Sequence, residues 1–317
     1  MRRKYGIKRG KKQKTKQEKK FNILTFDGGG VRGALSVGIL ENIQNEGGDV
    51  LENTDLFSGT STGSLIALGL AYDVSVEKLV DLYSLENMKF IFDKKHNEIT
   101  RPKYDNEHLH EALLKVFPED LRLSDLGHYV LIPSLYLGDW EEEWKPTFYT
   151  NLPNSLNSEY GVIDVAMQSC AAPIYFPSYN RHIDGGMVAN DPSLACIATI
   201  CGSEYNIKLE DINLLSISTG HTKNRIVDDT SNWGAMEWVM NKNISHPIVT
   251  LTLDSNAIIS KDLSQKLLRD SYCRIDPYLA NDIALDDYTK VPYMRSEARN
   301  YDIAPVMHWL GTKWYKL

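Results

Sequence analysis

Three short stretches carry residue types that could do chemistry. In GTSTG (59–63), Ser61 sits inside G-x-S-x-G. A serine hydroxyl is a poor nucleophile until something exposes it and takes its proton. A sharp strand-to-helix turn exposes it, small neighbours let the backbone turn that tightly, and the following helix points its positive end at the site. The same residue types also build ordinary connecting loops. In DGGGVRG (27–33) the glycines read as G-x-G-x-x-G. Such a loop can seat a dinucleotide's pyrophosphate on a helix N-terminus, with an acid about twenty residues on to hold a ribose, and Asp49 stands roughly there. Asp27, directly before the first glycine, would put a fixed negative charge beside that diphosphate. Alternatively the N–H groups of Gly28, Gly29 and Gly30 form an oxyanion hole, meeting an oxygen that becomes negative only in a transition state. Arg32 then adds positive charge or holds the loop, unless it makes an ordinary ion pair.

The third stretch, HIDGGM (182–187), places Asp184 after a short apolar run and before two glycines. A carboxylate at a strand end, its pKa raised by partial burial, could accept the serine proton directly. Asp-Gly is also a common turn. If the chain followed the order Ser, Asp, His of an ordinary hydrolase triad, His221, His246 or His308 could serve as base, but none sits in a distinctive local motif.

These stretches need elements to position them. FNILTF (21–26) reads as a buried strand, followed by the glycine loop and a helix whose Leu35, Ile39, Leu40 and Ile43 recur at helical spacing until Gly47-Gly48. Residues 55–72 repeat the plan of strand, tight turn and helix. Helices are predicted near 76–90, 107–117 and 164–171, with strands over 129–138, 146–150 and 212–218. Beyond about 225 only two helices are legible, near 233–242 and 262–271. Strands alternating with helices predict an α/β sheet covered on both faces. Tyr136, Trp140, Trp144, Phe148 and Tyr149, around Glu141–Glu143, read best as a hairpin with packed aromatics.

The charge is unevenly distributed. Residues 1–20 hold eleven Lys/Arg against one acid, a net of +10, and the remainder carries −17, together the −7 of the whole chain. A basic arm on an acidic body suits an anionic surface or a merely solubilising tail. Four scattered cysteines without a C-x-x-C pair argue against a zinc or redox site and for a reducing cytosol. No apolar run approaches a membrane span, and the start of the chain does not read as a signal peptide.

The ordered set of motifs resembles the patatin-like phospholipases. DGGGVRG is similar to that family's oxyanion loop, GTSTG to its nucleophile turn, and Asp184-Gly185-Gly186 to its catalytic-aspartate motif. SCAAPIYFPSY (169–179) and LLSISTG (214–220) match two further segments, so the resemblance spans about residues 21–220. Asp191 and Ser218 depart from it, where the family often has Asn and Gly. The resemblance implies a three-layer α/β/α sandwich with a mostly parallel central sheet: one catalytic domain over 21–317, with 221–317 its cover or lid. It also implies a dyad of Ser61 as nucleophile and Asp184 as base, an oxyanion hole at Gly28–Gly30 with Arg32 nearby, and no metal or cofactor. The expected reaction is hydrolysis of phospholipid or other acyl-lipid esters by a cytoplasmic protein, peripheral at an anionic membrane through residues 1–20, with no nucleic-acid partner. Two alternatives stay open. One is a membrane-degrading effector on the same fold, gated by a cyclic nucleotide in bacterial antiphage signalling. The other, much weaker, is a dinucleotide-binding oxidoreductase.

Overall fold

The computed structural model describes residues 20–315 apart from 48, 94–95, 98–99, 203, 206 and 242–245. The expected basic arm, Lys20 excepted, lies outside the described residues. Strands β1 (Phe21–Phe26), β2 (Leu56–Gly59), β3 (Tyr129–Tyr136), β4 (Lys145–Thr150), β5 (His182–Asp184), β6 (Ile212–Ile217) and β7 (Tyr272–Ile275) form one sheet in the order β4-β3-β2-β1-β6-β7, with β5 also on β3. All pairings are parallel except those of β4 and β5 with β3.

Side chains alternate across the pleat into two cores. Leu24, Phe26, Phe57, Val130, Ile132, Leu215 and Ile217 enter the larger one. There they meet α1 (Gly33–Asn45), α2 (Thr62–Ala71), α3 (Val76–Leu82), α4 (Leu85–Ile91), α5 (Glu107–Leu114) and α6 (Val162–Ser169). After the short α7 (Gly186–Ala189), α8 (Ser193–Cys201) covers the other face, where Cys196, Ile197 and Ile200 meet Ile23, Leu56, Leu131 and Leu214. The expected three layers are therefore present. Residues 221–317 supply α9 (Ala235–Val239), α10 (Pro247–Leu268), the edge strand β7, α11 (Val291–Asn300) and α12 (Ala304–Trp309).

Several local expectations are corrected. The single helix expected over 76–90 is two, because Ser75 and Ser84 each cap a new start by accepting from Lys78 N and Asn87 N. The helix expected near 262–271 is the C-terminal end of the 22-residue α10. The hairpin β3–β4 is present, but Trp140 and Trp144 stand exposed at its tip while Tyr149 is the buried aromatic.

The register explains how the motif residues gather. β2 pairs with Tyr129–Leu131 of β3, and β5 pairs antiparallel with Ser134–Tyr136, further along the same strand. β4 takes the other edge of β3. β2 and β5 therefore run toward each other along one edge, and Asp184, the last residue of β5, arrives beside the turn that follows Gly59.

Candidate active site

β1, β2 and β6 end on the same side of the sheet, where an open α/β sheet places its ligands. From β2 the chain turns through Thr60 and Ser61 into α2. Ser61 has φ 52 and ψ −124, a conformation a non-glycine residue holds only when its surroundings impose it. They do so here. Ser61 N–H donates to Ser169 Oγ at 3.0 Å, which donates to Pro133 O at 2.7 Å. Thr60 Oγ1 donates to Ala189 O at 2.6 Å. Gly63 must be glycine, since a Cβ there would lie 2.3 Å from Phe26 O. The turn is thus pinned against β1, β3 and α7.

Asp184 is 4% exposed. The Ser61 hydroxyl lies beside its carboxylate, and Asp184 Oδ1 accepts from Gly186 N at 2.7 Å. Burial pushes this carboxyl up to about 6, against the pull of the Ser61 hydroxyl and the Gly186 N–H. The Cys170 thiol lies beside Ser61 and Ser64, and burial raises it far above the thiol range.

The glycine loop does not act as one unit. Gly29 and Gly30 line the same cavity as Ser61 and Asp184. Gly28 does not, and its N–H is committed to Asn190 O at 3.0 Å. Gly30 has φ +57, and a Cβ on it would lie 2.0 Å from Leu285 O. Arg32 turns away into a neighbouring polar pocket shared with His221, Arg225 and Asp254, and its Nε approaches Gly29 O at 3.4 Å. It braces the loop from behind.

The cavity continues from the Ser61–Asp184 pair between Leu65, Met88, Ile91, Phe92, Leu109 and Phe176, and Val249 and Leu253 of α10 also form part of its wall. Apart from the Ser61–Asp184 pair its lining is almost wholly apolar, which suits an apolar ligand. No histidine lines it. His221 pairs with Asp276, and His246 is buried against Tyr175. Asp49 belongs to the turn before β2, where its carbonyl accepts from Asn53 and where Asn22, near the start of β1, reaches Asn53 O. That is the end of the sheet opposite the glycine loop, so the acid a dinucleotide site needs is absent from the loop. Among the described residues, no group of His, Cys, Asp and Glu is placed to hold a metal ion.

Other residues that carry the site have no signature in the sequence. Arg274 on β7 donates to Asp27 from Nη1 at 2.7 Å and from Nη2 at 2.5 Å, and reaches Asp191 at 3.3 Å. Asp191 Oδ1 accepts from Ser193 N at 2.9 Å, so the residue that departs from the family pattern keeps the turn bonded and also serves Arg274. Asn256 on α10 donates to Gly186 O at 2.6 Å and accepts from Asn190 N at 2.7 Å. It thereby fixes the segment after Asp184.

The patatin-like phospholipase profile matches residues 24–197. CotR of Bacillus subtilis is 28% identical across 93% of this chain and 98% of its own. Two proteins named cGAMP-activated phospholipase are also similar. The one from Vibrio cholerae is 30% identical, over 62% of this chain and 63% of that protein. The one from Escherichia coli is 26% identical, over 90% and 89%. The profile covers more than half of the residues and takes in the glycine loop, the serine turn and Asp184 in one frame: the chain belongs to the patatin-like phospholipase family and is a lipid acyl hydrolase, a carboxylic ester hydrolase.

Proposed function

We propose that Ser61 is the nucleophile and Asp184 its general base, acting on phospholipid acyl esters. The observation that carries this is the placement of the buried Asp184 carboxylate beside the Ser61 hydroxyl, both lining one apolar cavity. Ser61 Oγ attacks the ester carbonyl and its proton passes to Asp184. The tetrahedral oxyanion is met by the N–H groups of Gly29 and Gly30, Gly28 being committed elsewhere. The alcohol leaves with a proton from Asp184. Water then attacks the acyl-enzyme, Asp184 again serving as base. The acyl chain lies between α2, α4, α5 and the segment that follows α6. Association with a membrane surface follows from the substrate, with the basic residues 1–20 adding attraction to anionic lipid.

The test is fatty-acid release from mixed phospholipid vesicles by wild type, Ser61→Ala and Asp184→Asn, each checked for folding. Release by the wild type alone supports the dyad. Equal release by all three overturns it.

A second reading adds a gate to the same chemistry. Two relatives bear the name cGAMP-activated phospholipase, which favours a cyclic-nucleotide activator here. Vesicle hydrolysis that stays low until a cyclic dinucleotide is added would support it. Full basal activity would count against it.

A further inference from the structure

α10 has two apolar faces. Its inner face reaches the site: Val249 and Leu253 wall the cavity, and Asn256 holds the segment after Asp184. Its outer face is turned to solvent and carries Ile248, Leu251, Ile258 and Ile259, exposed to between 39% and 55%. These four stand at the spacing of one helical face. Beyond Ile259 the exposed residues are mixed, with Leu263 and Leu267 beside Asp262, Gln265 and Lys266. The helix thus carries exposed aliphatics both where it walls the cavity and beyond. α9, packed on α10, extends the apolar area with Met236, Val239 and Met240, all exposed. Beside them Trp233 and Trp238 meet edge to face, their ring centroids 5.0 Å apart. An exposed apolar area of this kind marks an interaction surface.

We infer that the outer faces of α9 and α10 lie on the phospholipid bilayer from which the substrate is drawn. The inference rests on the lipid-ester reading of Ser61 and names the surface through which that site meets its substrate. The bilayer is favoured over a second copy of the chain for two reasons. The helix that carries the exposed row also walls the cavity, so a bilayer on its outer face lies one helix away from the site, whereas a protein seated there would crowd that wall. Tryptophan, methionine and branched aliphatics at a helix end also suit the headgroup–acyl boundary. Among the described residues no helix is long and apolar enough to cross a membrane, so the contact is one of lying on the surface. Acidic and basic side chains are mixed around the patch, with Asp228, Asp229 and Glu237 beside Lys223 and Arg225. Binding through it is therefore insensitive to salt, unlike attraction through residues 1–20.

The experiment uses the full chain, phosphatidylcholine vesicles at high salt, and Leu251→Gln/Ile258→Gln/Ile259→Gln, which keeps helix propensity. A short-chain ester dissolved below its micelle concentration is hydrolysed in parallel. The expected result is that the triple variant matches wild type on the dissolved ester, while its release of fatty acid from vesicles and its co-sedimentation with them fall about tenfold or more. Unchanged vesicle activity and binding overturn the proposal. Conversion of a dimer to a monomer with vesicle hydrolysis intact assigns the face to a second copy and also overturns it. A wild type active on the dissolved ester but silent on vesicles overturns the bilayer contact and leaves the dyad standing. A wild type silent on both removes the dyad reading and this one with it. Should the triple variant fail to fold, Met236→Gln/Met240→Gln takes the same test.

Discussion

Arg274, on the last strand of the sheet, holds Asp27, directly after the first, by two hydrogen bonds of 2.7 and 2.5 Å. The guanidinium reaches across β6, donating to Ser216 Oγ at 2.7 Å. Asp27 opens the glycine loop, so the far edge of the sheet fixes where that loop begins. Asp27 and Asp191 are buried and Arg274 is partly buried, with two carboxylates on one guanidinium. Burial pushes the Asp27 carboxyl up, and Arg274 pulls it back.

Removing Arg274 leaves both carboxylates buried without their cation. Arg274→Met is expected to lower stability by about 3–5 kcal/mol, the usual cost of breaking one side of a buried pair. Adding Asp27→Asn to Arg274→Met should restore part of the loss, because one stranded charge is then gone. Chemical denaturation of the two variants measures this. A single variant as stable as wild type would mean that the network carries no weight.

The pH profile follows from Asp184. As base it must be ionised, and burial holds its carboxyl up at about 6. kcat/KM for a dissolved ester should therefore rise tenfold per pH unit below about 6 and level off above it. A limb centred near the ordinary carboxylate value would argue that Asp184 is not the group being titrated.

The same shift predicts a trade between stability and activity. The folded pKa is raised above its unfolded value, so the folded state binds this proton more tightly. Linkage then makes the contribution most favourable below the unfolded value, near 4, and it is lost as pH rises through about 6. At pH 7.5 the ionised carboxylate costs stability, on the order of 3 kcal/mol from a shift of this size. Asp184→Asn keeps an acceptor for Gly186 N–H and removes the charge. Its melting temperature should exceed that of wild type at pH 7.5 and converge with it near pH 4, while its activity is lost. A lower melting temperature at pH 7.5 would show that the carboxylate is better solvated than its burial implies.

The catalytic half was legible because its signals are local. β1 reads as a short β-prone run ended by Asp27 and the glycines, α1 keeps helical spacing, and both glycine-flanked turns are short and contiguous. The family expected from the ordered motifs is the family found. The final third was not legible, for a physical reason. α10 has apolar residues on its solvent face and small polar ones, Ser260 and Ser264, on its buried face. That arrangement erases the period by which an amphipathic helix is recognised. β7 is four residues long and half-buried at its centre, and Arg274 within it has no motif that announces a partner so far away in the chain. Nor can spacing tell that Gly28 spends its N–H on Asn190, because that bond depends on where α7 ends.

The division of the glycine loop gives the last prediction. Gly30 faces the cavity with φ +57 and packs on Leu285 O, whereas Gly29 packs on the Thr219 side chain. Gly30→Ala asks a Cβ to occupy space held by a backbone carbonyl, so the loop must shift. Thr219→Ser keeps the hydroxyl that donates to Gly28 O at 2.9 Å and removes only a methyl. If the loop supplies the oxyanion donors, Gly30→Ala should lower kcat by about 10²–10³ with KM for a dissolved ester little changed. Thr219→Ser should stay close to wild type in both constants. A Gly30→Ala enzyme that folds and keeps its kcat would remove the loop from the transition state and leave Ser61 and Asp184 without an oxyanion partner on that side of the cavity.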